Sequence, residues 1–94
     1  MLISIYAVHD IKADAFGSPI HQVNDEVAVR CLAAVARDKE SSIGQNPEDF
    51  NLYCLGSFDN ASGAIGGLDK PRLVCTALSV SKPNPAEPAL EVVE

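Results

Sequence analysis

The sequence predicts an α+β domain: a small antiparallel sheet of about four strands with one main helix packed across a face. Three observations predict it. Short apolar runs that alternate with period two stand at 2–8, 51–58 and 72–80. One stretch, 24–38, carries apolar residues at helical spacing behind a capping asparagine. Between the second and third runs lies a polar loop ending in glycine, of the kind that closes hairpins.

Leu2–Val8 is the first strand, with Ile3, Ile5 and Ala7 on one side and Leu2, Ser4, Tyr6 and Val8 on the other. Residues 10–23 form an irregular arm punctuated by Phe16-Gly17-Ser18-Pro19. A loop of this length is uncommon in a compact domain, so Phe16, Pro19 and Ile20 are candidates for docking on a partner. The helix spans Asn24 to Asp38. Asn24 caps it, Asp25 and Glu26 suit the positive end of its dipole, and Val27, Cys31, Ala34 and Val35 make the apolar stripe, widened by Ala28 and Leu32. Lys39–Asp49 reads as a loop stopped by Pro47. Asn51–Phe58 is a strand in which Leu52, Cys54, Gly56 and Phe58 alternate with Asn51, Tyr53, Leu55 and Ser57. Gly63 closes the hairpin loop 59–63, Ala64–Gly66 returns as a short strand, 68–71 turns again, and Arg72–Val80 is the last strand. The domain is thus 1–80, and 81–94, with Pro83, Pro85, Pro88 and three glutamates, is a mobile acidic tail.

Composition bounds the function. At 94 residues and 47% hydrophobic, with five aromatics and no Trp, the chain supports one thin aliphatic core, which favours a homo-oligomer. A net charge of −6 argues against a protein that coats duplex DNA, whose affinity comes from cations displacing counterions. The run Leu2–Val8 lacks a preceding basic region and is too short to span a bilayer, so neither a signal peptide nor a membrane segment is expected. Cys31, Cys54 and Cys75 match no zinc or CxxC spacing and read as buried thiols of a reducing compartment.

No arrangement typical of an active site emerges, and no metal or cofactor is expected. His9 and His21 lack metal-ligand spacing, and His9-Asp10 reads as a strand end beside a turn. No GxSxG elbow surrounds a serine. Glu48-Asp49 offers too few oxygens for a hard cation. Gly63, Gly66 and Gly67 form no phosphate loop. A single-stranded nucleic-acid surface is the binding chemistry with support: Tyr6 and Tyr53 as stacking rings, with Arg30, Arg37, Lys70 and Arg72 as nearby cations.

Three segments, taken in order, carry a resemblance: SIYAVHDIKADAFGSPI, QVNDEVAVR and NPEDFNLYCLGSFDNASGAI. The pattern D-x-K-A-x-A-F-G-x-P is matched by Asp10, Lys12, Ala13, Ala15, Phe16, Gly17 and Pro19. The helix entrance is matched by Asn24, Asp25, Ala28 and Arg30, and the later run by Pro47, Glu48, Asp49, Phe50, Leu52, Tyr53, Gly56, Phe58 and Asp59. Over roughly residues 3–65 the chain resembles the small nonstructural protein of gokushoviruses, single-stranded-DNA phages of the microvirus family. Gln45-Asn46 and Ile20-His21 depart from the family's pattern. The resemblance implies a non-enzymatic protein made in the bacterial host cytoplasm and absent from the mature virion. It also implies a role in genome replication or packaging, with single-stranded viral DNA as partner. The alternative partner is a viral or host replication protein, engaged without DNA contact through the arm or the tail.

Overall fold

The computed structural model describes residues 1–82. The tail read from the sequence as 81–94 therefore lies almost wholly outside the described residues.

The expected fold class holds. One antiparallel sheet is built from β1 (Leu2–Asp10), β2 (Ala15–Phe16), β3 (Ile20–Gln22), β4 (Phe50–Asp59) and β5 (Ile65–Thr76). Its order is β2-β1-β4-β5, with β3 also paired to β1. The 10–23 arm is thus no free projection. It doubles back along the edge of β1 as a broken strand, pairing Phe16 with His9 and then Ile20 with Tyr6, His21 with Ile5 and Gln22 with Ser4. Gly17 N–H donates to the Val8 carbonyl at 2.8 Å and bridges the two pieces. An unpaired edge of β1 would leave a row of backbone groups open, and the arm satisfies them.

The main helix, α1 (Asp25–Ala36), begins where the sequence places it. Asn24 Oδ1 accepts from Val27 N–H at 2.9 Å, so one orphan donor of the first turn is satisfied. Its buried side is rotated from the expected stripe: Ala28, Leu32, Ala33 and Ala36 are buried, whereas Cys31, Ala34 and Val35 are exposed. The helix is apolar around most of its girth, so periodicity does not single out one face, and packing against the sheet selects the small residues that allow close approach. Cys31 thereby corrects the expectation of three buried thiols; Cys54 is buried and Cys75 intermediate. The core joins Tyr6, Leu52 and Cys54 of the sheet to Ala28, Leu32 and Ala36 of α1 and to Ala77.

The segment 39–49 is more ordered than a loop. It holds the short helix α2 (Ser42–Gln45), capped by Ser41, and a 3-10 turn at Pro47–Asp49. The hairpin 59–63 forms as read: Asp59 N–H donates to Ala64 O, Gly63 N–H to Asp59 O, and Gly63 takes φ +80°.

Two strand assignments need correcting. The short strand expected at 64–66 and the run 72–76 are one strand, β5, which begins at Ile65, because 68–71 does not reverse the chain. It bulges out between Gly67, which pairs with Gly56, and Arg72, which pairs with Cys54. Pro71, which lacks an N–H, fits such an excursion. The expected strand also ends early: Ala77–Val80 is a helical turn, α3, capped by Thr76 Oγ1 at 3.1 Å from Ser79 N.

Gly56 is required by the close approach of β4 and β5. A methyl group there would overlap the Gly66 carbonyl oxygen and stand 2.9 Å from Gly67 Cα, both rigid backbone. Gly56→Ala is expected to destabilise the fold by about 1–3 kcal/mol, the range for overpacking, read as a lowered urea midpoint at unchanged m value.

Candidate functional site

The helix covers one face of the sheet and leaves the other bare, and the site follows from which side chains go to each. Tyr6 goes to the covered side. It is 0% exposed, its neighbour Leu52 is 1% exposed, and both lie in the core beneath α1. A phenol buried this completely needs a partner for its hydroxyl. It donates to Asp25 Oδ1 at 2.6 Å. Asp25 in turn accepts two hydrogen bonds from Arg72, 2.9 Å to Oδ2 and 3.2 Å to Oδ1. This corrects two expected nucleic-acid contacts: no base can stack on Tyr6, and the Arg72 charge is engaged by a carboxylate in the fork geometry that suits guanidinium.

Charge and burial shift this chain of groups in consistent directions. The Arg72 guanidinium, then the Tyr6 hydroxyl, hold Asp25 below the ordinary carboxylate value of 3.8. Burial, followed by the Asp25 hydrogen bond, pushes the Tyr6 phenol above its ordinary 10.0. The carboxylate raises Arg72 further.

Arg30 and Arg37 stand on the covered side as well. They line a groove of about 380 Å³ floored by Val29, Ala33, Val74 and Val80. Arg37 Nε donates to the Val80 carbonyl at 3.0 Å. Lys70 lies in the β5 bulge at the sheet edge. Ile20, opposite Tyr6, belongs to the covered side, and Pro19 is exposed between β2 and β3. The six expected nucleic-acid residues therefore do not form one surface.

The open face carries a different set. Alternation along β1 sends Ile3, Ile5, Ala7 and His9 there. Tyr53, paired with Ala7, and Phe16, paired with His9, join them from the two flanking strands. The three rings touch: His9 and Phe16 have centroids 4.7 Å apart, Phe16 and Tyr53 5.6 Å, His9 and Tyr53 6.1 Å, the last two edge-on. Phe16 is 45% exposed and Tyr53 partly so. Aromatic pairs in this range stabilise one another by roughly 0.5–1.5 kcal/mol beyond area burial. His9 Nε2 also lies 3.4 Å from Asp14 Oδ1 in the β1–β2 turn. Of the expected residues only Tyr53 and Phe16 belong to this cluster. His9 escaped the sequence reading as a ring of the site, although its place in the Ile3-Ile5-Ala7-His9 alternation puts it there.

The chain matches the family model described as Phage ORF5 protein over residues 3–80. It belongs to that family. The Phage ORF5 match thus runs from β1 through α3 and takes in both faces of the sheet. No curated protein and no solved structure matches the chain. Among the described residues of this ORF5 protein, no three His, Cys, Asp or Glu side chains gather as a metal site, and no helix is long and apolar enough to cross a membrane.

Tyr6→Phe is expected to cost about 1.5–3 kcal/mol, the range for a hydrogen bond to a charged group, while keeping the ring in place. Arg72→Ala, at a half-exposed and solvent-screened pair, is expected to cost less than Tyr6→Phe. A double-mutant cycle by urea unfolding checks both values and their coupling. The pH dependence has two limbs. Asp25 is depressed in the fold, so its contribution is complete above pH 3.8 and is lost as pH falls through the lower folded value. Tyr6 is raised, so its contribution holds below pH 10.0 and is lost as pH rises through the higher folded value. Thermal melts should show the acid limb shrink in Asp25→Asn and the alkaline limb shrink in Tyr6→Phe.

Proposed function

We propose that this ORF5-family protein is a non-enzymatic accessory protein of a single-stranded-DNA phage of the gokushovirus kind. In this reading it binds single-stranded DNA during genome synthesis and packaging, and the bases stack on the open face of the sheet. The observation that carries the proposal is the cluster of His9, Phe16 and Tyr53, three touching rings on a face that no helix among the described residues covers. Sequence-tolerant recognition of single strands uses such rings, because every base offers a π face. Sheets whose open face presents aromatics are a recurring solution for unstacked bases.

The cations are placed so that stacking outweighs phosphate contact. Arg72 is ion-paired with Asp25, and Arg30 and Arg37 line the groove on the opposite side of the sheet. Lys12 lies in the β1–β2 turn and Lys70 in the excursion of β5. Few phosphates are then neutralised, and the salt dependence of binding is shallow.

The same placement, with the net charge of −6, favours a second reading in which the open face receives a viral or host replication protein instead. Fluorescence anisotropy with a labelled oligothymidylate at 20 and 150 mM salt separates the two. The DNA reading expects saturable binding that weakens by less than about tenfold over that range, and that Phe16→Ala reduces about tenfold. Absence of binding at 20 mM salt would sink it and leave the protein-partner reading.

A further inference from the structure

A second pair of rings stands on the same open face. His21 on β3 is paired with Ile5, and Phe58 on β4 with Ile3, so the two straddle the start of β1 as Phe16 and Tyr53 straddle its end. Their centroids are 6.1 Å apart. His21 is exposed and Phe58 partly exposed. Phe58 reaches this face through an irregularity of β4. The pairing of β1 with β4 jumps from Ile5–Gly56 to Tyr6–Cys54, which leaves Leu55 extra and turns the residues beyond it over. Without that bulge Phe58 would share the side of Leu52 and Cys54.

We infer that His21 and Phe58 form a second base-stacking platform, so that one protomer holds a short run of nucleotides laid along β1. This rests on the reading of the open face as a single-stranded-DNA site. The level of the first platform, between Ala7 and His9, and that of the second, between Ile3 and Ile5, are separated by four residues of strand, roughly 13 Å. A stacked strand rises about 3.4 Å per nucleotide, so the two platforms are bridged by about four nucleotides. Between them, Gly56 and Gly67 are paired with each other across β4 and β5, beside Ile5 on β1, so the path from one pair of rings to the other is low along β4 and β5.

The occupant is a single strand, because at both levels two rings face each other across β1, beside the exposed Leu73 and Ile65 of β5, and paired rings are what bases stack on. Length dependence tests the inference. Full-length protein is titrated with dithymidylate and with octathymidylate, followed by amide shifts in NMR spectra for the weak ligand and by anisotropy for the tight one. The variants are Phe16→Leu, Phe58→Leu and His21→Ala; leucine keeps the apolar bulk while removing the ring, and thermal melts confirm the fold.

Phe58→Leu and His21→Ala are expected to weaken octathymidylate about tenfold and to leave dithymidylate, held at the first platform, within twofold. Phe16→Leu is expected to weaken both. If Phe58→Leu leaves octathymidylate binding within twofold while Phe16→Leu reduces it, the second platform is refuted and the first stands. If Phe58→Leu changes the mass in light scattering and not the affinity, a second copy covers this end of the face and the inference fails. If the wild-type protein binds neither oligonucleotide, the proposed function itself fails.

Discussion

The hydrogen-bonded chain from Tyr6 through Asp25 to Arg72 fixes the arrangement on which the rest depends. It joins the central strand β1, the first turn of α1 and the edge strand β5 at one point. Its driving constraint is the hydroxyl of a fully buried tyrosine, which would cost about 1–3 kcal/mol if left without a partner. Asp25 meets that demand from the N-terminal turn of a helix, where the dipole already favours an anion. The two interactions reinforce each other, and the helix start is held above Tyr6. Once the helix is pinned there, Ala28, Leu32 and Ala36 descend on Leu52 and Cys54, and that side of the sheet is closed. The remaining side is open because no element is left to cover it among the described residues.

The open side owes its composition to irregularities in the ladder. The extra residue at Leu55 and the 68–71 excursion face each other across β4 and β5. The first turns over the far half of β4, so Gly56 and Phe58 share the side of Tyr53. The second lets one long strand accommodate the offset without a turn. Gly56 sits where the two strands come closest, which is why no side chain fits there. The bulges thus distribute aromatic residues towards the bare face while the apolar residues that close the core stay beneath α1.

Charge has a structural role before it has a binding role. Arg72 secures Asp25, and Arg37 is bound to carbonyls at the end of α3. Three of the thirteen acidic residues, Glu87, Glu91 and Glu94, lie beyond the described residues, whereas all seven Lys and Arg lie within them. With Arg72 and Arg37 used in this way, the open face presents its rings and glycines together with the aliphatic side chains of Ile3, Ile5, Leu73 and Ile65. Any ligand that recognises that face has to do so mainly by stacking and burial.

The sequence by itself determined the parts governed by local chemistry. The helix start at Asn24, the glycine-closed hairpin at 59–63, the strands at 2–8 and 51–58 and the α+β class all follow from capping, turn residues and period. Its family resemblance to a phage protein was likewise legible in ordered motifs. Tertiary structure decided the rest. Which stripe of α1 is buried could not be read, because both candidate stripes are apolar and only packing chooses the smaller residues. The fate of Tyr6 and Arg72 depended on Asp25, which is 19 residues from one and 47 from the other. The arm became an edge strand because β1 had unsatisfied backbone groups beside it. The ring cluster was half visible: Phe16 and Tyr53 were noted separately, but strand pairing brought them to His9, and a bulge that leaves no mark in period-two alternation turned Phe58 to the same face. A strand's local pattern fixes alternation, whereas the register against its neighbours fixes which residues share a surface.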